Sequence, residues 1–273
     1  MSDHAPSPTP SAADSFLDRH HFLLRRLHSL SGIMPVGVFV IFHLFTNAQL
    51  AWPDRGQTFQ HEVNFIHFMP LLLFMEVAIW VSIGFHAALG LVYTFSSNSA
   101  AQTLRRYHNR EYLGNVRYML QRATGLIALV FIFLHVATLR WHWSFGVFDT
   151  FYVATQDGYP LAAATTARAL QNNLVLVIYV IGVLSVIYHW CNGLWTAAIT
   201  WGLTLTPRAM QRWGYVCATL AAALTLFMFG AVVGARTYSL TDADRAAIQR
   251  ATEQGGGHHG EIERRPKEVT RQE

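Results

Sequence analysis

The sequence predicts an all-α fold, an integral membrane bundle of five transmembrane helices. Of its 273 residues, 52% are hydrophobic and only 13% are charged, about half the charged fraction of a soluble domain. Five apolar segments each reach the roughly 20 residues needed to cross a hydrocarbon core about 30 Å thick. Since lipid offers the backbone no hydrogen-bond partners, such separate segments must be helical. These segments, spans I to V, cover about residues 31–50, 68–95, 119–140, 173–201 and 214–235.

The chain divides into three parts. Residues 1–18 are rich in Pro, Ser and Ala, which predicts a disordered tail, and they lack the pattern of a cleaved signal peptide. Residues 19–236 form the five-helix domain. A basic amphipathic stretch, Phe16–Leu30, is expected to lie as a helix at the membrane surface before span I. Residues 237–273 are expected to form a polar, mobile tail.

The arginines predict how the bundle is oriented, because cytoplasmic connections of membrane proteins are enriched in positive charge. They place the N-terminus and the 96–118 loop in the cytoplasm and the C-terminal tail outside, in the inner membrane of a prokaryote. The net charge of +4 is too diffuse to indicate a nucleic-acid partner. One side carries Arg19, Arg25, Arg26, Arg105, Arg106, Arg110, Arg117, Arg208 and Arg212, and the other carries Arg55, Arg140 and Arg168.

Four of the 14 histidines lie well inside apolar segments, one in each of spans I to IV. They are His43, His86, His135 and His189. An ionisable side chain within the membrane is costly and usually functional. A single buried histidine is readily explained by a hydrogen bond to a neighbouring helix. One histidine in each of four successive spans is harder to explain in that way.

The depths of these histidines predict two pairs. His43 and His135 lie roughly 16–24 Å from the cytoplasmic ends of their spans, whereas His86 and His189 lie roughly 22–25 Å from the outer ends of theirs. The first two therefore form an outer pair and the last two an inner pair. Two facing histidines suit the axial positions of a haem iron, whereas zinc requires three or four ligands at one level. The bundle is thus expected to enclose two stacked haems.

Glycines follow both inner-pair histidines at the same spacing. Gly90 comes four residues after His86, and Gly193 four residues after His189. Because residues four apart share a helix face, each glycine could clear space for a flat macrocycle. Ordinary packing of small residues between membrane helices explains the spacing equally well.

Four runs of the sequence resemble the di-haem cytochrome b anchor subunits of succinate dehydrogenases. The resemblance covers about residues 20–235, with matching order and spacing, and points to the type with five helices and two haems in a single polypeptide. That type occurs with menaquinone-linked enzymes. The runs are RRLHSLSGIMPVGVFVIFHLFTN (25–47), QRATGLIALVFIFLHV (121–136), YHWCNGLW (188–195) and TWGLTLTPRAMQR (200–212).

The resemblance implies two haems b, with His43 and His135 as axial ligands of the outer haem and His86 and His189 as those of the inner haem. It also implies a flavoprotein subunit with covalent FAD and an iron–sulfur subunit with three clusters, both docked on the cytoplasmic face. Electrons would pass from the iron–sulfur subunit through the inner and outer haems to quinone. Related fumarate reductases carry a glutamate at the position of Ile187, so its absence favours succinate oxidation.

Further residues are candidates for binding these cofactors. Haem propionates need cationic or hydroxyl donors, and His28, Ser29 and Arg122 lie at the cytoplasmic ends of spans I and III. Quinone needs hydrogen-bonding groups and a proton route at the opposite interface. Glu76 is expected about 12 Å below the outer end of span II, where it either relays protons or is protonated within the bundle. The quinone-site candidates are His61, Glu62, His67 and Glu76.

Two other functions compete with this interpretation. The chain could be the cytochrome b anchor of another respiratory dehydrogenase, such as a formate dehydrogenase or hydrogenase. It could also be a haem-free transport or structural bundle that uses its histidines for protons. The sequence does not distinguish menaquinone from ubiquinone, and it is compatible with trimers of complexes in the lipid membrane.

Overall fold

The computed structural model describes residues 19–95, 113–141, 143, 155–156 and 159–255. Helices dominate this part of the chain, and one short antiparallel ladder joins β1 (Thr155–Gln156) to β2 (Tyr159–Pro160). A 3-10 turn covers Gln49–Ala51. The helices are α1 (His21–Ile33), α2 (Val36–Ala48), α3 (Gln57–His67), α4 (Leu72–Phe95), α5 (Leu113–Leu139), α6 (Ala162–Gln171), α7 (Asn173–Thr200), α8 (Pro207–Thr237) and α9 (Asp242–Gly255).

Five helical segments of the described chain are long and apolar enough to cross a membrane. Span I runs over His21–Ala51 and includes α1, α2 and the 3-10 turn, and spans II to V are α4, α5, α7 and α8. The prediction of a five-helix all-α bundle is confirmed. The β1–β2 ladder is a local departure in the connection between spans III and IV.

Span I begins earlier than the sequence predicts. The stretch expected to lie at the membrane surface is α1, which packs against α4 and α7 as part of the bundle. Phe16–Asp18 of that stretch lie outside the described residues. The Met34–Pro35 step separates α1 from α2, because proline has no N–H to donate and its ring crowds the preceding turn.

Two of the long helices begin at side-chain caps. The Asn172 side chain accepts hydrogen bonds from the Leu174 and Val175 amides, at 3.0 and 3.3 Å, at the start of α7. At the start of α8, the Thr206 hydroxyl accepts from the Ala209 amide and Pro207 occupies the first turn. These caps satisfy amide groups that no preceding turn can bind.

The main apolar core lies between spans I, IV and V. It is built from Leu44, Ile187, Cys191, Leu224 and Met228. Cys191 and Cys217 are both buried free thiols, and a buried free cysteine packs as a small apolar side chain.

The two ends of the bundle differ. We call the end where spans I, III and V begin the N-proximal end, and the opposite one the N-distal end. A helical cap of α3, α6 and α9 covers the N-distal end, where Phe59 and Leu170 pack on Leu50 and Ala235.

The first part of the predicted polar tail belongs to this helical cap. Asp242–Gly255 is helical, and its Ala247 and Ile248 are buried against Ala164 of α6. The expectation of a mobile tail is therefore wrong for this segment, because α9 has an apolar face that the cap buries. The rest of the predicted tail, 256–273, and the predicted disordered residues 1–18 lie outside the described residues.

Candidate functional site

The four intramembrane histidines meet in two facing pairs. The ring centroids of His43 and His135 are 5.7 Å apart, with an interplanar angle of 77°. Those of His86 and His189 are 6.0 Å apart, with an angle of 88°. All four side chains are half-buried. The structure thus joins span I to span III and span II to span IV, as the depth argument pairs them.

The pairs lie at two levels of the bundle. On span III, the Gln121 carbonyl contacts His189 of the inner pair, and His135 belongs to the outer pair. The helix between Gln121 and His135 measures about 21 Å at 1.5 Å per residue. On span IV, Tyr179 contacts His135 and lies about 15 Å along the axis from His189. The levels are therefore separated by roughly the length of three to four helical turns.

The spacing within each pair suits a metal ion between two imidazoles. Two metal–nitrogen bonds of about 2 Å, plus two ring radii of about 1 Å, predict centroids about 6 Å apart. The described residues contain no cluster of three or more His, Cys, Asp or Glu side chains that could hold a metal ion. Haem iron brings four nitrogen ligands in its macrocycle and needs two axial ligands from the protein, so the pairs fit this group.

Main-chain carbonyls orient both imidazoles of the inner pair. His86 Nδ1 lies 2.8 Å from the His28 carbonyl oxygen, and His189 Nδ1 lies 2.9 Å from that of Gln121. A carbonyl oxygen only accepts hydrogen bonds, so each Nδ1 must carry the proton and donate it. The lone pair of each ring then resides on Nε2, the nitrogen available to a metal.

Glycines on adjacent helices make room for the same two rings. A Cβ at Gly32 would lie 2.5 Å from Cε1 of His86, and one at Gly125 would lie 2.8 Å from Cε1 of His189. Atoms do not approach so closely, so any side chain at either position would displace the imidazole. A Cβ at Gly90 or Gly193 would meet only ordinary contacts, at 3.4 and 3.7 Å. Their predicted role beside a macrocycle stays a prediction.

Aromatic side chains surround the outer pair. His135 Nδ1 lies 3.1 Å from the Tyr179 hydroxyl. The Phe39 ring stacks on His43 with centroids 5.1 Å apart, and the Phe131 ring packs against both His135 and Tyr179. The outer pair thus has an apolar wall and one polar side-chain partner.

The propionate candidates lie close to the inner pair. His28 stacks on His86 with centroids 4.0 Å apart and an angle of 8°, and its buried Nδ1 has no hydrogen-bond partner among the described residues. The Ser29 hydroxyl accepts a hydrogen bond from Trp201 Nε1 at 2.9 Å. Arg122 donates to the carbonyls of Tyr93 and Thr94 at the end of α4, at 3.0 and 3.4 Å.

A polar network that joins spans III and IV lies beside His189. Gln121 Nε2 donates to the His189 carbonyl, and Asn192 Nδ2 donates to Gln121 Oε1 at 2.7 Å. Arg117 Nε in turn donates to Asn192 Oδ1 at 2.9 Å, and its guanidinium lies 3.7 Å from the Trp195 ring. Gln121 therefore contacts His189 twice, because its carbonyl accepts from the His189 ring and its side chain donates to the His189 carbonyl. Nothing in the spacing of the sequence indicates its contact with span IV.

Three of the quinone-site candidates lie together on α3, in the N-distal cap. His61, Glu62 and His67 share this helix. His61 lines a cavity of about 370 Å³ that Arg55 and Tyr238 also line. Burial raises the pKa of the Tyr238 hydroxyl above its ordinary value.

Glu76 lies apart from those three residues and forms an ion pair. Arg140 Nε and Nη2 donate to its two carboxylate oxygens at 2.9 and 3.1 Å, and this bond raises the pKa of the Arg140 guanidinium. Because α4 begins at Leu72 after a turn at 68–71, Glu76 is about 6 Å into its helix rather than the expected 12 Å. It precedes His86 by about 15 Å of the same helix, which brings it close to the level of the outer pair, and its carboxylate is bound by Arg140 there.

The five spanning helices place the chain in the class of multi-pass membrane proteins. Among proteins of known function, the chain is similar to the succinate dehydrogenase cytochrome b558 subunit of Bacillus subtilis (strain 168). The two are 35% identical over 207 residues, which cover 75% of this chain and 92% of the relative. No family model matches the chain. The chain belongs to the family of succinate dehydrogenase cytochrome b subunits, which confirms the resemblance seen in its sequence.

Proposed function

We propose that this chain is the membrane anchor and electron-transfer subunit of a succinate dehydrogenase. In this proposal it carries electrons from an iron–sulfur subunit through two haems b to quinone. The observation that supports it best is the meeting of four imidazoles in two pairs, each spaced for one iron, in a chain of this family. The chain itself does not oxidise succinate, which is the task of the flavoprotein partner.

Four histidines would hold the haems. His43 and His135 would bind the outer iron, and His86 and His189 the inner iron. Haem b, when bound between such a pair of imidazoles, would supply a one-electron carrier. The carbonyls of His28 and Gln121 accept from Nδ1 of the inner imidazoles, so Nε2 of each ring would bind the iron. All four rings lie half-buried among the apolar spanning helices.

The inner site would lie close to the soluble partners. The N-proximal end is proposed to face the cytoplasm of a prokaryote, in its inner membrane, because most of the predicted topology-determining arginines belong to that end. The iron–sulfur and FAD-containing subunits would dock there, next to the level of His86 and His189. Assembly into trimers of complexes stays a prediction.

Quinone, either menaquinone or ubiquinone, would be reduced near the N-distal end, at the level of the outer pair. Glu76 supports this placement, because its partner Arg140 follows His135 by only about 7 Å of helix. A carboxylate at an interface can deliver the protons that quinone takes up with its electrons. His61, Glu62 and His67 lie further out, in the cap, where they could pass protons inward from the aqueous phase.

The test is purification of the intact complex from membranes. A covalent-flavin subunit and an iron–sulfur subunit should co-purify, and a pyridine haemochrome assay should give two haems b per chain. Extraction of the complex should also yield quinone. A molybdenum or nickel partner would instead assign the chain to a formate dehydrogenase or hydrogenase. A reduced-minus-oxidised spectrum without a haem b band would favour a transport or structural bundle.

A further inference from the structure

We propose that Tyr179 is a positioning residue that lowers the reduction potential of the outer haem by accepting a hydrogen bond from His135. This inference rests on the proposed function, because it concerns an iron bound between His43 and His135. Tyr179 lies on span IV, whereas its partner His135 lies on span III.

The tyrosine hydroxyl lies at Nδ1 of His135, which leaves Nε2 of the same ring for a metal. The Tyr179 hydroxyl is 3.1 Å from His135 Nδ1, and the two ring centroids are 5.7 Å apart. If His135 binds iron through Nε2, its Nδ1 carries a proton and must donate it. Tyr179 is then the acceptor, which requires its own hydroxyl proton to point elsewhere.

Thr138 provides the acceptor for the hydroxyl proton of Tyr179. The Thr138 hydroxyl donates to the Leu134 carbonyl at 2.7 Å, one turn back along the same helix. Its proton is thereby engaged, so its oxygen is the acceptor in the hydrogen bond between the Thr138 and Tyr179 side chains. All donors and acceptors are consistent with one direction, from His135 Nδ1 to Tyr179, from Tyr179 to Thr138, and from Thr138 to Leu134.

Close packing fixes the position of the tyrosine ring. Phe131 is buried and meets Tyr179 edge to face, with centroids 5.2 Å apart. Phe131 can reach this position because Gly182, less than one turn after Tyr179, has no side chain: a Cβ there would overlap the Phe131 ring. The hydroxyl therefore has little freedom to leave His135.

The outer pair differs from the inner pair in the kind of group that accepts a hydrogen bond from the imidazole. Main-chain carbonyls accept from His86 and His189, and no substitution can remove a carbonyl. A side chain accepts from His135, so this bond can be deleted by changing one residue. At the outer site, the basicity of His135 thus depends on a side chain.

The bond has a defined effect on the iron. An acceptor at Nδ1 draws the proton away from the ring and raises the basicity of Nε2. A more basic ligand stabilises ferric iron more than ferrous iron, so it lowers the reduction potential. Loss of the acceptor should therefore raise the potential of the outer haem alone.

The experiment is an optically monitored redox titration of the purified complex carrying Tyr179→Phe. We expect both haems to be retained and the midpoint of one of them to rise. The expected rise is on the order of a tenfold change in its reduction equilibrium, about 59 mV for one electron. The matched control is Tyr215→Phe, which removes an exposed hydroxyl on span V and should leave both midpoints unchanged.

Two further variants distinguish an effect on the reduction potential of the outer haem from an effect on folding. Thr138→Val removes the acceptor of the Tyr179 proton and should shift the same haem in the same direction by less, whereas Thr138→Ser should restore the native value. Unchanged midpoints in Tyr179→Phe, or equal shifts of both haems, would overturn the inference. If Tyr179→Phe does not assemble, unchanged midpoints in Thr138→Val would overturn it instead. A native complex without two haems would overturn the proposed function itself.

Discussion

At the scale of single residues, each inner-pair imidazole lies against a position that has no side chain. Gly32 faces His86 and Gly125 faces His189. A ring that must present Nε2 to a metal needs both a hydrogen-bond acceptor at Nδ1 and space for its other atoms. The His28 and Gln121 carbonyls provide the acceptors, and the glycines provide the space.

Adding a single methyl group at Gly32 should therefore disturb the inner haem site. In Gly32→Ala the new Cβ would overlap the His86 ring, and relieving such overpacking costs about 1–3 kcal/mol. We expect a haem content close to one per chain, measured as pyridine haemochrome on the purified complex. Gly84→Ala is the control, because a Cβ there meets nothing within 4 Å. Two haems per chain in both variants would contradict the prediction.

The sequence predicts the histidine pairs but not what holds them. The position of each histidine along an apolar span fixes its depth, and depth alone is enough to pair His43 with His135 and His86 with His189. The partners Gln121 and Tyr179 depend on how far each helix is rotated about its axis. That rotation follows from packing such as Phe131 against Gly182, which a single sequence does not reveal.

At the scale of helices, hydropathy predicts the spans better than it predicts their ends. Arg25 and Arg26 interrupt the apolar pattern, yet α1 continues through them because its other residues pack against α4 and α7. The sequence does not predict the cap helices α3, α6 and α9, because each is too short to cross a membrane and mixes polar with apolar residues. Phe59 is buried on α3 and Ile248 on α9, whereas most of α6 is buried.

The start of α3 should depend on pH through Asp54. Hydrogen bonds from Thr58, through both its hydroxyl and its amide, together with one from the Gly56 amide, lower the pKa of the Asp54 carboxyl. A lowered folded-state pKa means that this stabilisation is present above the unfolded-state value of about 4. It is lost as the pH falls through the lower, folded-state value.

Asp54→Asn tests this dependence by hydrogen–deuterium exchange of the α3 amides, corrected for intrinsic rates. The native protein should protect α3 better than the variant at neutral pH, and the difference should vanish as Asp54 becomes protonated. Asp242→Asn, at the start of α9, should leave the protection of α3 unchanged at every pH. A difference between native protein and Asp54→Asn that grows on acidification would contradict this account.

At the scale of the whole molecule, the bundle contains two sites that share few residues. The inner pair joins α4 to α7, and the outer pair joins α2 to α5. Changes more than 7–10 Å apart without shared partners usually act independently, and the two levels are about 15–21 Å apart by helical rise. Each site should therefore lose its haem without emptying the other.

Single ligand substitutions test this independence. His86→Ala should remove the inner haem and leave the outer haem with its native midpoint, and His43→Ala should do the reverse. Redox titration of each purified complex would show a single remaining transition, at a different potential in each variant. His21→Ala, an exposed histidine of α1, should retain both transitions. Complexes that assemble but show the same remaining transition in both variants would contradict the pairing, because each pair would then not hold its own iron.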